Sequence, residues 1–437
     1  MIEPSILPGF MELLPGDQIA FNKFLKKIQE SYELFGFLPI DTPVIEKAEI
    51  LMAKGGEETE KQTYAFTKGD NELALRFDLT VPLARYVSQR QNELYFPFKR
   101  YQIGKVYRGE KPQKGRFREF YQCDADVVAR DILPLNYDAE LVSLIYFTFK
   151  KLAIGDFVVR ISNRKILTGL LEELGLKSTG GQILRLADKK DKMSPERFLA
   201  ELSELVANQE KVDQIIEFLN FNGSPEESIH YLESRKFKSE LFNTGLSELE
   251  EVVNTVRQLK VPDTNWRVDF KIIRGLDYYT GTVYETTLVE YPQLGSVCGG
   301  GRYEDLAAYY TDQKLPGVGI SIGLTRFFSQ LKEIGAINSN IKTTTQVLIS
   351  PMTENILPKA NSLASVLRQN GIRTEVFSQQ STLKKQLDYA NKQGINFVAI
   401  IGEDEITSET VTIKDMGTSD QQTIALVDLL DYLIPKI

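Results

Sequence analysis

The 437-residue chain predicts an α+β fold: an antiparallel-sheet core interrupted by a helical insertion, followed by a C-terminal α/β module. Three observations carry this. Strand-prone runs (LALRF, KRYQIGKVYR, FREFYQCDADVV) fall between Leu73 and about Ala129. From about residue 165 to 262 the chain turns leucine- and acid-rich and helical in pattern. After the polar run Asn338–Thr345, the segments QVLIS, RTEVFS, NFVAIIG and TVTIKD alternate with helical stretches near 354–370 and 380–393.

Taken in order, Asp17 to Phe35 has apolar residues at Phe21, Phe24, Leu25, Ile28, Tyr32 and Phe35, the stripe of an amphipathic helix that Gly36 can end. Phe37 to Pro43 is held extended by its two prolines. A helix is expected over Asp138–Leu152 after the sheet strands. Inside the insertion, Ser194-Pro195-Glu196 and Ser224-Pro225-Glu226-Glu227 are helix starts, the second with capping-box spacing. Strand character resumes from Trp266 to Val297, then comes a glycine cluster (Gly299, Gly300, Gly301), and a helix begins at Leu324. The expected division is a core over 1–330 with its insertion at about 165–262, a linker over 331–344 and a module over 345–437.

Composition sets bounds. Hydrophobic residues are 42% and charged residues 26%, ordinary for a soluble globular protein. The start, MIEPSILPGFMELLPGD, has acids and prolines where a secretory leader needs a basic and then an apolar run. No stretch is apolar for the roughly 20 residues that span a bilayer. The two cysteines, Cys123 and Cys298, form no CxxC, so a disulfide framework or zinc site is not expected and a reducing cytoplasm fits. The net charge of −8 argues against non-specific nucleic-acid binding. Locally the balance reverses: Lys99 to Arg118 holds eight basic residues and one acid, Glu110, a concentration suited to phosphate. There is no GxxxxGKS loop. The single histidine, His230, sits in the insertion, where a structural or surface role is expected rather than acid–base chemistry.

Four blocks carry the chemistry. Arg274-Gly-Leu-Asp-Tyr278-Tyr279-Thr-Gly281 sets a cation and phenols between glycines, where the backbone turns tightly and a ligand can approach. Lys105 to Gln122 reads as two strands joined by a basic loop, with Arg108, Glu110, Arg116, Phe117 and Arg118 along it. LRFDLTVP (75–82) contributes Asp78 and Thr80, to be read with Gln122 and Asp126. Pro316 to Arg326 is a glycine-rich run leading into a helix, with Arg326 at the helix start.

Together these blocks resemble the class II aminoacyl-tRNA synthetases and, among them, the histidyl-tRNA synthetase family, over nearly the whole chain and most weakly in the insertion. Residues 36–43, 105–122 and 316–326 look like that class's motifs 1, 2 and 3, and RGLDYYTG like the histidine signature. The resemblance implies a class II catalytic core and a C-terminal anticodon-binding domain. It implies a homodimer with Pro43 at its interface, and the substrates L-histidine, ATP (with Mg2+) and histidine tRNA. A guanidinium pairs bidentately with phosphate oxygens, so Arg108 is expected on the α-phosphate. Resemblance puts Phe117 on adenine, Arg116 and Arg118 on the outer phosphates, Arg326 on the γ-phosphate, and Glu110 with the ATP set. Asp78, Thr80 and Gln122 supply the acceptors an ammonium needs. By resemblance, Asp126 and Tyr279 take the imidazole nitrogens, Arg274 faces the carboxylate and the α-phosphate, and Tyr278 and Tyr303 belong to the histidine pocket. Arg274 and Arg108 are the expected catalytic pair.

Two departures stand out. Asp78 and Asp126 are shorter than the glutamates of many bacterial members, while the wording around them resembles the eukaryotic branch, where aspartate is usual. Thr325 stands where the family usually has glutamate, which leaves Arg326 without its usual acidic neighbour. The C-terminal module has eight basic residues against eleven acids from Thr344 to Ile437, so its RNA role rests on resemblance. The rival reading is a synthetase-like, histidine-binding regulatory subunit of ATP phosphoribosyltransferase, which is expected to lose that module and part of the arginine set. A prolyl or threonyl enzyme would lack RGLDYYTG.

Overall fold

Sixteen strands form three sheets in the computed structural model, which describes residues 2–53, 57–111, 115–190, 193–272, 279–337 and 341–437. In chain order they are β1 (Leu38–Pro39), β2 (Ile45–Lys47), β3 (Ala65–Lys68), β4 (Asn71–Leu75), β5 (Phe98–Tyr107), β6 (Glu119–Val128), β7 (Phe157–Asn163) and β8 (Trp266–Val268). Then follow β9 (Tyr279–Leu288), β10 (Cys298–Tyr303), β11 (Gly317–Gly323), β12 (Val347–Pro351), β13 (Thr374–Val376), β14 (Phe397–Ile401), β15 (Thr410–Asp415) and β16 (Gln421–Ala425). The chain divides into two units, Met1–Met11 with Phe24–Ile337, and Glu12–Lys23 with Asn338–Ile437.

The first unit is built on an eight-stranded sheet of order β1-β5-β6-β11-β10-β9-β7-β8. Its central pairs β5/β6, β6/β11, β11/β10, β10/β9 and β9/β7 are antiparallel, and only the outer pairs β1/β5 and β7/β8 are parallel. Alternation along a strand gives the sheet two unlike faces. On β6, Cys123, Ala125 and Val127 are fully buried apolar residues on one face. Tyr32, on the helix Pro15–Leu34, donates its hydroxyl to Cys123 O at 2.9 Å. Phe24 and Phe149 meet Phe328 and Phe327 at ring-centroid distances of 5.6 and 5.9 Å. This aromatic layer is the apolar core behind the sheet. The other β6 face carries Gln122, Asp124 and Asp126.

A three-stranded sheet, β2-β4-β3, lies beside the helix Thr80–Arg90. Glu46 on β2 takes Arg85 in a bidentate pair, Oε1 to Nη2 at 2.6 Å and Oε2 to Nε at 3.0 Å, with both residues mostly buried. The strength of a two-bond guanidinium–carboxylate pair is what fixes that helix to the small sheet.

Among the described residues, six α-helices run between β7 and β8, from Arg164–Glu173 to Glu240–Gln258. The Ser194 hydroxyl accepts from Arg197 N, and Ser224 with Glu227 forms the reciprocal capping box. His230 is exposed on the helix Pro225–Ser234. Phe218 stacks on Phe270 at 4.8 Å and Phe221 on Tyr231 at 4.0 Å, closing the insertion's core beside the sheet strands.

The second unit has a mixed sheet, β13-β12-β14-β15-β16, parallel across β13/β12/β14 and antiparallel from β14 to β16. Sequence patterning did not pick out β16, whose Gln421–Ala425 run is polar and exposed for most of its length.

Candidate active site

Register sets the floor of the site. Across β5, β6 and β11, Gln122 lies between Gly104 and Gly323, Asp124 between Gln102 and Ser321, and Asp126 between Arg100 and Gly319. Large polar side chains of β6 therefore face glycines or small polar groups on β11. A Cβ on Gly319 would overlap the Asp126 carboxylate, and one on Gly317 would overlap the Tyr303 ring. These two glycines are required for close approach, not for an unusual backbone angle.

Asp126 is 3% exposed and its carboxylate is held on both oxygens. Arg100 Nη2 approaches Oδ2 at 2.7 Å, and the Tyr303 hydroxyl donates to Oδ1 at 3.1 Å. Burial pushes its pKa up, while Arg100 and Tyr303 pull it back. Tyr279 pairs with Tyr303 across β9 and β10 and lies where a Cβ of Gly301 would be. Tyr279, Tyr303 and Asp126 thus form one cluster. Arg274 and Tyr278 lie outside the described residues.

Gln122 donates Nε2 to Ser321 Oγ at 2.9 Å, and its Oε1 is buried with no hydrogen-bond partner. The Ser321 hydroxyl in turn favours the charged form of Asp124. This chain points the amide so that its oxygen is left for a donor. A buried acceptor left unmade costs about 1–3 kcal/mol, which a donor brought by a ligand would recover. Asp78 is buried ahead of the helix Thr80–Arg90, where Oδ1 accepts from Thr80 N at 3.2 Å and Val81 N at 2.9 Å. Thr80 is buried beside it, at the first residue of that helix. Burial raises the Asp78 pKa, opposed by these N–H groups and by Arg108 and Arg100.

The basic hairpin is joined to this floor. Arg108 Nε donates to Phe77 O, one residue before Asp78, at 3.2 Å, and its guanidinium lies over the Phe77 and Phe120 rings at 4.4 and 5.1 Å. Arg116 pairs with Glu110 at 3.2 Å, and Arg118 Nε donates to Glu110 O at 3.0 Å. Phe117, between them, is half-buried. Of the eight basic residues from Lys99 to Arg118, Lys99, Arg100, Lys105 and Arg116 each pair with an acid (Glu140, Asp126, Glu119 and Glu110). The cationic density is therefore lower than the sequence run alone suggests. Gly115, at φ +73°, lies 3.7 Å (from an ideal Cβ) from Arg326 Nε, which brings the hairpin to the start of the helix Leu324–Glu333. Arg326 Nη2 donates to Leu294 O at 3.2 Å. Thr325, in the place of the usual glutamate, accepts from Tyr121 N at 2.8 Å and so ties that helix to β6.

Two arginines, Arg100 and Arg76, and an aspartate, Asp124, that sequence reading passed over also shape the site, and a third arginine, Arg302, stands behind it. Arg76, 3% exposed, donates to Lys105 O at 2.7 Å and Thr42 O at 2.6 Å, stitching the segment before Asp78 to β5. Arg302 belongs to the opposite face, where it grips Asp138 at 2.6–3.2 Å and also donates to Leu133 O and Pro134 O. Asp124 is 2% exposed with Oδ1 unpartnered, and burial pushes its pKa up to about 7. Only the alternation of QCDAD along β6 hinted at Asp124.

Residues 9–327 match the family model described as Histidyl-tRNA synthetase. The chain belongs to the histidyl-tRNA synthetase family. Residues 346–436 match the model described as Anticodon binding domain. Curated relatives include the histidine–tRNA ligases of Clostridium tetani, 51% identical over 99% of this chain and 98% of the relative, and of Stenotrophomonas maltophilia, 47% identical over 96% and 95%. The crystal structure of histidyl-tRNA synthetase from Nostoc sp. PCC 7120 superposes with a TM-score of 0.92 at 40% identity, covering 100% of both chains. An ATP phosphoribosyltransferase regulatory subunit/histidyl-tRNA synthetase from Bacillus halodurans C shares the fold at a TM-score of 0.75 and 20% identity. As in this family, the antiparallel core and the C-terminal α/β unit are both present.

Proposed function

We propose that this histidyl-tRNA synthetase family member ligates L-histidine to histidine tRNA in two steps, through histidyl-adenylate, releasing pyrophosphate and AMP. The observation that carries the reading is the unpartnered Gln122 Oε1, set on one sheet face with Asp78 and with the Asp126–Tyr303 pair. An ammonium finds acceptors at Gln122, Asp78 and Thr80, and an imidazole finds Asp126, Tyr303 and Tyr279. A pocket built on such bonds rejects analogues by about 10⁴–10⁵-fold, since a wrong side chain leaves buried groups unpaired.

The histidine carboxylate attacks the α-phosphorus in line, and the terminal ribose hydroxyl of the tRNA then attacks the activated carbonyl. No step needs a covalent enzyme intermediate. Catalysis is positioning together with stabilisation of charge on phosphorus. Arg108, fixed through Phe77 O, and Arg274 clamp that centre. Arg116, Arg118 and Arg326 neutralise the outer phosphates, Glu110 orients Arg116, and Phe117 stacks on adenine. Tyr278 completes the histidine pocket.

Mg2+ is a hard cation that keeps several waters and binds through substrate phosphates plus one or two carboxylates. No group of three or more His, Cys, Asp or Glu suited to a metal occurs among the described residues, and the ion would be held chiefly by the ATP phosphates and water. When bound, the ion supplies charge neutralisation on the outer phosphates.

The C-terminal unit reads the anticodon through base contacts to unpaired nucleotides. The chain works as a homodimer: Pro43 is exposed, as are Leu38 (59%), Ile45 (47%) and Phe66 (40%), a group of apolar residues that suits an interface. It acts in the cytoplasm, where its two free, buried thiols stay reduced. No described helix is long and apolar enough to cross a membrane.

The test is ATP–pyrophosphate exchange with each amino acid in turn, followed by charging of histidine tRNA. Exchange with L-histidine alone supports the reading. Binding of histidine without exchange would favour the regulatory paralogue instead.

A further inference from the structure

We infer that Arg100 is a positioning residue that couples recognition of the substrate's imidazole to recognition of its ammonium. This inference rests on the histidine pocket proposed above. Arg100 is fully buried on β5, directly across from Asp126. Its Nη2 reaches two places at once: Asp126 Oδ2 at 2.7 Å and Leu79 O at 3.3 Å. Leu79 lies between Asp78 and Thr80, so one nitrogen joins the carboxylate that faces the imidazole to the segment that faces the ammonium.

A comparison within the molecule separates this from a scaffold role. Arg302 spends its guanidinium on two carboxylate oxygens and two carbonyls, and Arg76 uses both Nε and Nη1 on backbone oxygens. Among the described residues, Arg100 leaves Nε and Nη1 buried and without a hydrogen-bond partner. Burying unmade donors opposes folding, so a residue kept for the scaffold alone would satisfy more of them. What the arrangement secures is the charge and aim of Asp126. An ionised carboxylate accepts hydrogen bonds on both oxygens, whereas a protonated one becomes a donor. Burial drives Asp126 towards the protonated form and Arg100 opposes it.

The charge balance points the same way. Asp78, Asp124 and Asp126 are all buried and all feel Arg100, with Arg108 adding to the balance at Asp78. The buried Arg100 cation faces Asp78 and Asp126 together, with Asp124 ionising only as pH rises through about 7 beside them, and an incoming ammonium reduces the excess of negative charge. Removing Arg100 therefore loosens both ends of the substrate together, while the ATP side, held by Arg108 and the hairpin, is left in place.

The experiment is steady-state ATP–pyrophosphate exchange by the full chain carrying Arg100→Met or Arg100→Lys, with folding checked by circular dichroism and thermal melting. Arg100→Met is expected to raise the KM for L-histidine by about 30-fold or more, the scale of truncating one partner of a buried charge pair, with the KM for ATP within about twofold. Arg100→Lys keeps a point charge but not the fork, and should recover part of the loss. If only Arg100→Lys folds, a histidine KM above wild type at unchanged ATP KM still supports the inference. Folded variants with unchanged histidine KM, or with both KM values raised alike, overturn it, as does failure of both variants to fold, which assigns Arg100 to the scaffold. If the wild-type chain shows no histidine-dependent exchange, the histidine pocket itself is wrong, a separate result.

Discussion

Ser321 Oγ accepts the Gln122 amide N–H at 2.9 Å, and this contact leaves Gln122 Oε1 without a hydrogen-bond partner among the described residues. In the proposed pocket, a serine on β11 thereby decides which end of an amide on β6 would meet the substrate. Removing the acceptor with Gln122→Ala should lower kcat/KM for histidine by about 10–100-fold, the equivalent of a hydrogen bond to a charged group of about 1.5–3 kcal/mol. Ser321→Ala should cost less, since it frees the amide without deleting it. Exchange kinetics at saturating ATP measure both; an unchanged histidine KM in both variants would contradict the assignment.

Gly319→Ala places a methyl where the Asp126 carboxylate lies. The carboxylate has to leave Arg100 or Tyr303 to make room, so histidine binding should weaken severely. Overpacking costs typically about 1–3 kcal/mol, so the protein should still fold. Isothermal titration with histidine, beside a thermal melt, separates the two effects. A folded variant that binds histidine like wild type would show that Asp126 is not placed by this contact.

Asp124 gives a pH prediction. Unfolded, its carboxyl titrates near the ordinary value of about 3.9; folded, burial pushes it up to about 7. Between those values the folded state keeps a proton that the unfolded state has lost. The stability tied to that proton is present below about pH 4 and disappears as pH rises through the folded pKa. Asp124→Asn removes the titration. Its melting temperature relative to wild type should therefore climb between pH 5 and pH 8. A difference that stays flat over that range would place the Asp124 pKa elsewhere.

Arg302 and Asp138 test the opposite face. Both are buried, and their bidentate pair holds β10 to the helix Asn136–Leu152. Arg302→Met leaves Asp138 uncompensated and should destabilise the fold by about 3–5 kcal/mol. Denaturant titration reads the loss. In the fraction that stays folded, the histidine KM should hold, because Arg302 sits behind the sheet and not on its substrate face.

How much of this was legible in the sequence follows from the range of each interaction. The β5–β6 hairpin, the Ser194 and Ser224 caps and the helix at Leu324 are local patterns, written in alternation and in residues three or four apart. Arg100 and Arg76 were invisible as site residues because their meaning depends on what lies across a strand pair; in sequence, Arg100 is one more charge in a basic run. Asp124 differs from Asp126 only by a two-residue step, and burial plus Ser321 give it its character. The glycine cluster of β10 carries no strand pattern of its own in sequence, yet it lies in a strand where Gly300 and Gly301 leave no room for a Cβ against the adjoining chain. β16 escaped because its polar run has no apolar alternation to mark it.

The most direct test of the central claim is ATP–pyrophosphate exchange with and without Arg274, the residue proposed to join histidine's carboxylate to the α-phosphate. Wild type should exchange only with L-histidine, and folded Arg274→Ala should lose at least about 10²–10³-fold in rate, the scale of a lost transition-state charge contact. Near-normal exchange in that variant, or exchange by wild type that does not depend on histidine, would contradict the account.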